Sequence, residues 1–199
     1  YQSIDSPYSR ALLLKNLLQQ KSVCFDTETT SLDALQTELV GIAFSWEESK
    51  GYYLVLPENR NETLAFLKPF KAFFEHTKIE KIGHNLKFDL KVLENYNIKV
   101  KAPFFDTLIA HYLINPDMRH NMNILAETYL DYSPQSIKEL IGKKGVNQGS
   151  MRDVPIENQT EYAVEDTDVT FQLKHFFEKE MDSAQTLDLF KKVELPLVK

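Results

Sequence analysis

The stretch IEKIGHNLKFDLKVLENY, residues 79–96, decides the fold. Ile79 to Gly83 reads as a short buried strand, and Leu86 to Tyr96 reads as a helix that Asn85 can cap. A strand that hands its chain directly to a helix is the building unit of α/β domains, whose sites gather at the ends of strands. Asp89, one turn into that helix, would either steady its N-terminus or project over the sheet end.

Upstream, the chain is rich in strand. Ser22 to Glu28 alternates Val23 and Phe25 with Cys24, Asp26 and Glu28. Leu39 to Trp46 and Gly51 to Leu56 form two further β-rich runs, joined by the polar Glu47–Lys50 as a hairpin loop. Before them, Ser9 to Gln20 carries leucines at helical spacing. After them, Thr63 to His76 reads as a helix that Pro69 interrupts. Downstream, Phe104 and Phe105 lead into a helix from Asp106 to Ile114, followed by short helices at Asn121–Leu130 and Ser136–Ile141. Residues 142–152, GKKGVNQGSMR, hold three of the six glycines and read as a mobile basic loop. Glu157 to Glu180 is the longest helical pattern, and Leu187 to Leu195 is a last one, ended by Pro196.

The chain has 199 residues, 43% of them hydrophobic, enough for one compact domain with its own core. Twenty-three basic against 29 acidic residues give a net charge of −6, which excludes a protein held to nucleic acid by phosphate neutralisation alone. One cysteine excludes an internal disulfide framework and predicts a reducing, cytoplasmic setting. No apolar run reaches the roughly 20 residues that span a bilayer, so no membrane association is expected. The chain starts at Tyr1 without a methionine and stops inside an apolar pattern, which predicts a piece of a longer protein.

Acidic residues carry the chemistry. On a strand, Asp26 and Glu28 point to one face, so both carboxylates can reach one divalent cation, although an isolated pair of this kind is ordinarily a solvated sheet end. In the long helix Val169, Leu173 and Phe176 form a core stripe, and stepping back three and then four residues from Val169 reaches Asp166 and Tyr162. Those two should face inward, with Glu161 and Asp168 outward. A carboxylate on a buried face is costly unless paired or metal-bound. Four acids from three segments, without a matching arginine cluster, imply hard cations with oxygen ligands, Mg²⁺ or Mn²⁺, while a lone cysteine and the lack of a close histidine pair argue against zinc. Two such ions are the arrangement used in phosphodiester hydrolysis.

The segments DTETTSLD (Asp26–Asp33), IGHNLKFD (Ile82–Asp89) and YAVEDTDVT (Tyr162–Thr170), in that order, resemble the three exonuclease motifs of the DEDD superfamily, tyrosine subtype. More closely, the chain resembles the 3′-to-5′ proofreading exonuclease domains of bacterial family A DNA polymerases. The likeness extends through DTLIAHYL (Asp106–Leu113), RHNMNILAETYL (Arg119–Leu130) and VELPLV (Val193–Val198). It implies an α/β, ribonuclease H-like fold, a mixed β-sheet flanked by helices on both faces. Residues 1–192 would be the exonuclease domain, and 193–199 the start of a polymerase domain that is otherwise absent from this chain.

By the same resemblance, Asp26, Glu28 and Asp166 would hold a first metal, and Asp26 and Asp89 a second. Tyr162 would orient the attacking water. Leu32 would wedge against the terminal base, and Asn85 would lie near the substrate backbone. His84 stands where the family more often has glutamine, and Ile137 falls near a position that is often aromatic. Arg119, Lys143, Lys144 and Arg152 are the candidate phosphate contacts, since an acidic domain must concentrate its cations along the strand it binds. The expected partners are a single-stranded DNA 3′ end and a covalently continuous polymerase domain, with the protein a monomer. An RNA-processing exonuclease would use the same acids, and a catalytically silent module would be expected to have lost some of them.

Overall fold

The computed structural model describes residues 1–198 apart from 144, 146 and 147. Lys144 therefore lies outside the described residues. The chain opens with a short strand, β1 (Gln2–Ile4), and α1 (Pro7–Leu17). The helix starts earlier than its leucines suggest, because Ser6 and Ser9 cap it reciprocally and Pro7 occupies its first position. Next come β2 (Ser22–Thr29), β3 (Leu39–Glu47) and β4 (Lys50–Val55). Glu47 pairs with Lys50, so the hairpin turn is Glu48–Ser49 alone, with Ser49 at a positive φ of 62°.

After β4 the chain forms α2 (Arg60–Leu67), α3 (Lys71–Phe74), β5 (Glu80–Gly83), α4 (Leu86–Asn95), β6 (Phe104–Asp106) and α5 (Thr107–Ile114). The break expected at Pro69 falls between α2 and α3. Two short helices follow, α6 (Met122–Tyr129) and α7 (Ile137–Ile141), then the long α8 (Ile156–Ser183). The strands β1 and β6 were not foreseen, because three residues are too few to show a period of two. At the C-terminus, Leu187–Val198 forms a succession of short helical turns that runs on through Pro196. Pro196 therefore does not end that segment as expected.

The six strands form one sheet in the order β1-β4-β3-β2-β5-β6. β3 runs antiparallel to both β2 and β4, and the remaining pairs are parallel. The alternation along β2 sorts its two faces. Val23 and Phe25 belong to a core shared with Leu17, Phe44, Phe73, Phe74, Leu86 and Val92. Cys24 belongs to a second core with Ile82, Phe105, Val169, Leu173 and Phe177. Helices thus cover both faces, α8 lying across the one that Cys24, Asp26 and Glu28 share. Its approach to β4 is close: a Cβ on Gly51 would stand 2.4 Å from Val164 Cγ1. Among the described residues, no helix is long and apolar enough to cross a membrane.

Asp168 is not outward-facing as expected. It is 3% exposed, covered by the N-terminus and the β3–β4 turn. Tyr1 donates its hydroxyl to Asp168 Oδ2 at 2.8 Å, the Ser49 amide donates to both carboxylate oxygens at 3.1 Å, and Gln172 Nε2 donates at 2.9 Å. The helical period places a residue relative to its own helix and says nothing about which other segments fold over it.

Beneath α6 and α8, His111 is fully buried, with Nδ1 at 2.6 Å from His120 Nδ1 and Nε2 at 3.0 Å from the Tyr129 hydroxyl, beside Phe177. Burial first, and His120 second, push His111 down from 6.5 to about 4. Between those values the unfolded chain binds a proton that the folded chain refuses, so the His111 contribution is complete above 6.5 and is lost as pH falls toward 4. A His111→Gln protein lacks this loss and shares every other titrating group. Urea unfolding of both proteins at pH 7.5 and pH 5 should show the wild type losing stability relative to the variant at the lower pH. A pH-independent difference would contradict it.

Candidate active site

β2 ends in the middle of the sheet, with α8 crossing one face and α4 starting beside the other. Around that end lies a cavity of about 710 Å³, lined by Asp26, Glu28, Leu32, His84, Asn85, Asp89, Ile137, Lys138, Tyr162 and Asp166 among others. Asp26 and Glu28 come from β2, Asp89 from α4, and Tyr162 and Asp166 from one face of α8. Three segments distant in sequence therefore bring four carboxylates and one phenol to a single cavity.

The electrostatics are those of crowded like charges. Burial pushes Asp26 up to about 7. Glu28 is raised well above its ordinary range by burial and then by the charges of Asp26, Asp166 and Asp89. Asp89 and Asp166 are raised for the same two reasons, burial and then Asp26. Among the described residues, none of the four makes an ion pair. Tyr162 is also raised far above a free phenol, by burial and then by Asp166, Glu28 and Asp26, so it keeps its proton at neutral pH.

Glu28 and Asp89 are buried and Asp26 and Asp166 half-buried, and carboxylates that repel one another without a cationic partner form a donor set suited to hard divalent cations. Among the described residues, no three acidic, histidine or cysteine side chains already form a closed ion cage. Asp89 is held from the other side of β2: its Oδ1 accepts from the Thr27 amide at 3.0 Å and the Thr27 hydroxyl at 2.5 Å. Thr27 points away from Asp26 and Glu28, so one strand displays two acids on one face and grips a third from the other.

The remaining expected site residues are distributed as follows. Leu32 is 77% exposed at the cavity rim. Asn85 lines the cavity in a left-handed conformation, φ 66° and ψ 48°, and so cannot cap α4 as expected. His84 lines it too, its Nδ1 2.9 Å from Thr107 Oγ1. Arg119 and Lys143 are exposed and outside the cavity lining. Arg152 sits on a short 3₁₀ turn (Met151–Asp153) and donates from Nη2 to the Leu39 carbonyl at 2.7 Å, which ties that turn to β3. Lys138 escaped the sequence reading. It lines both this cavity and a second one of about 660 Å³ that shares His84, Asn85, Ile137 and Tyr162. Its signal was Ser136, which accepts from the Lys138 amide and so sets α7 at the cavity wall.

Thr27→Val deletes the hydroxyl that Asp89 accepts from and keeps the shape and the backbone donor. It should lower the unfolding free energy by about 1–2 kcal/mol. In an Asp89→Asn background the loss should shrink, because the two residues share one interaction. Urea denaturation of the four proteins checks this, and additive losses would show that the two side chains do not act together.

Known proteins resemble this chain in sequence and in fold. A family model described as 3′-5′ exonuclease matches residues 1–182. The chain is 33% identical over 203 residues to DNA polymerase I of Borreliella burgdorferi, covering 100% of this chain and 22% of that protein. It is 33% identical over 196 residues to DNA polymerase I of Pseudomonas aeruginosa, covering 93% of this chain and 21% of the relative. The chain thus spans about a fifth of the length of these relatives. In structure it is similar to Escherichia coli RNase D, with a TM-score of 0.79 and 18% identity over 100% of this chain and 49% of that one. Brucella melitensis NrnC with bound Mg²⁺ gives a TM-score of 0.75 at 21% identity, over 99% of this chain and 88% of the other. The mixed sheet with helices on both faces is the ribonuclease H-like fold of these nucleases. The chain belongs to the 3′-5′ exonuclease family found in DNA polymerase I and related family A polymerases.

Proposed function

We propose that this domain hydrolyses the terminal phosphodiester at the 3′ end of single-stranded or frayed DNA, with two divalent cations, Mg²⁺ or Mn²⁺, and so proofreads for a polymerase to which it is joined. The observation that carries this reading is the convergence of Asp26, Glu28, Asp89, Asp166 and Tyr162 on one cavity at the end of β2. The family and the DNA polymerase relatives favour DNA as the substrate. Residues 1–192 are read as the exonuclease domain, with 193–199 leading toward the polymerase, and the domain is read as monomeric.

Asp26, Glu28 and Asp166 would hold one cation, and Asp26 and Asp89 the other. When bound, the ions supply the positive charge that eases deprotonation of the attacking water and stabilises the departing oxygen. The protein's own groups supply position. Tyr162 stays protonated and so orients the water through its hydroxyl, with Glu28 as a second partner, and does not act as a base. Leu32, exposed at the rim, would separate the last base from its neighbour. Asn85 and Lys138, which line both cavities, would contact the backbone behind it. Water oxygen bonds to phosphorus as the bond from phosphorus to the penultimate 3′ oxygen breaks. That oxygen takes up a proton, and a deoxynucleoside 5′-monophosphate leaves.

The test is a 5′-labelled single-stranded DNA oligonucleotide incubated with Mg²⁺ or Mn²⁺ and resolved on a gel, beside a matched RNA. A ladder shortening from the 3′ end should appear, vanish with EDTA, and slow by about 10²–10³-fold or more in Asp26→Ala. Equal shortening of RNA would favour an RNA-processing enzyme. An unaffected Asp26→Ala protein would refute the site.

A further inference from the structure

Asp106 lies outside the cavity and is 1% exposed, at the junction of β6 and α5. It caps its own helix, Oδ1 accepting from the Leu108 amide at 2.9 Å and the Ile109 amide at 3.3 Å. The same oxygen accepts from the Asn85 amide at 3.2 Å, and Oδ2 accepts from the Leu86 amide at 2.8 Å. One carboxylate therefore collects four backbone donors from the heads of two helices, where both helix dipoles favour its negative charge.

The head of α4 needs this external partner. Asn85 precedes the helix in the left-handed region and offers no side-chain cap of its own. That conformation costs a non-glycine residue roughly 1–2 kcal/mol and persists only when its surroundings impose it. Asp106 imposes it from one side. The neighbouring Thr107 does so from the other, donating its hydroxyl to the Gly83 carbonyl at 3.2 Å, with His84 Nδ1 2.9 Å from that Thr107 hydroxyl oxygen. Tight packing leaves the turn little room, since a Cβ on Gly83 would meet Leu86 Cδ2 at 2.4 Å. Two consecutive residues of α5's entrance thus pin the whole turn from Gly83 to Leu86, which carries Asn85 into the cavity and sets the start of the helix bearing Asp89.

We infer that Asp106 is a positioning residue of the exonuclease site: it touches neither substrate nor ion, and it holds Asn85 and Asp89 in working geometry through the backbone of the turn before α4. This inference rests on the nuclease reading proposed above.

The discriminating variant is Asp106→Asn. Its amide oxygen can still accept from Leu108, Ile109 and Asn85, but its NH₂ would face the Leu86 amide, donor against donor, so the head of α4 loosens while the cap of α5 remains. Three full-length proteins are compared with the wild type: Asp106→Asn, Asp106→Ala, and Thr63→Ala as a destabilised control. Thr63 is buried away from the cavity and donates to the Pro57 carbonyl. Amide hydrogen exchange by NMR, kcat and KM on single-stranded DNA, and the Mg²⁺ concentration for half-maximal rate are measured under folded conditions.

In Asp106→Asn the Leu86 amide should exchange faster with Leu108 unchanged, kcat should fall by roughly 10²-fold, and more Mg²⁺ should be needed. Thr63→Ala should keep the wild-type kcat and Mg²⁺ dependence. If Asp106→Asn loses stability as Thr63→Ala does but keeps both kinetic values, Asp106 is a fold cap only and the inference fails. An inactive wild type would instead overturn the nuclease reading, and unaltered exchange at Leu86 would by itself overturn the role given to Asp106. Should Asp106→Ala not fold, Asp106→Asn decides.

Discussion

Mutual repulsion of the carboxylates at the end of β2 is the constraint around which the rest of the molecule is arranged. Asp26, Glu28, Asp89 and Asp166 are each driven upward in pKa by burial, and all but Asp26 itself are driven further by the charge of Asp26. A protein optimised for stability alone would not collect such groups in one cavity without counter-charges. The fold holds them there by packing elsewhere. Two hydrophobic cores, one on each face of the sheet, fix the strand and both helices that carry the acids. The alternation of β2 feeds both cores with apolar residues up to Phe25 and then turns to chemistry at Asp26.

The positions of the acids are enforced by hydrogen bonds between the supporting elements rather than among the acids. Thr27 grips Asp89, and Asp168 is tied to the N-terminus and the hairpin turn, anchoring the helix that carries Tyr162 and Asp166. Thr27 engages only Oδ1 of Asp89, and Asp168 lies outside the cavity lining. The cost of crowding is met by packing and hydrogen bonding elsewhere in the fold.

Much of this was legible in the residues. The Asp-x-Glu spacing on a strand, the step from Gly83 into a helix bearing Asp89, and the inward placement of Tyr162 and Asp166 follow from the two side-chain periods, 2 and 3.6. What those periods cannot express is contact between distant segments. The same helical wheel that turned Asp166 inward sent Asp168 outward, because nothing in α8 reveals that Tyr1 and Ser49 fold over it. Asn85 looked like a helix cap, but its left-handed backbone gives that task to Asp106, 21 residues on. Lys138 was missed because the Ser136 cap marks the start of its five-residue helix but not which of its side chains meets the cavity. The strands β1 and β6 were too short to have one.

Whether the four carboxylates hold two cations is decided by diffraction from crystals of this domain grown with Mn²⁺ and a deoxynucleoside 5′-monophosphate, recorded where manganese scatters anomalously. One peak is expected among Asp26, Glu28 and Asp166 and a second between Asp26 and Asp89, with the nucleotide phosphate beside both and Tyr162 facing it. Bound nucleotide with no anomalous peak at these carboxylates, or manganese only elsewhere on the molecule, would contradict it.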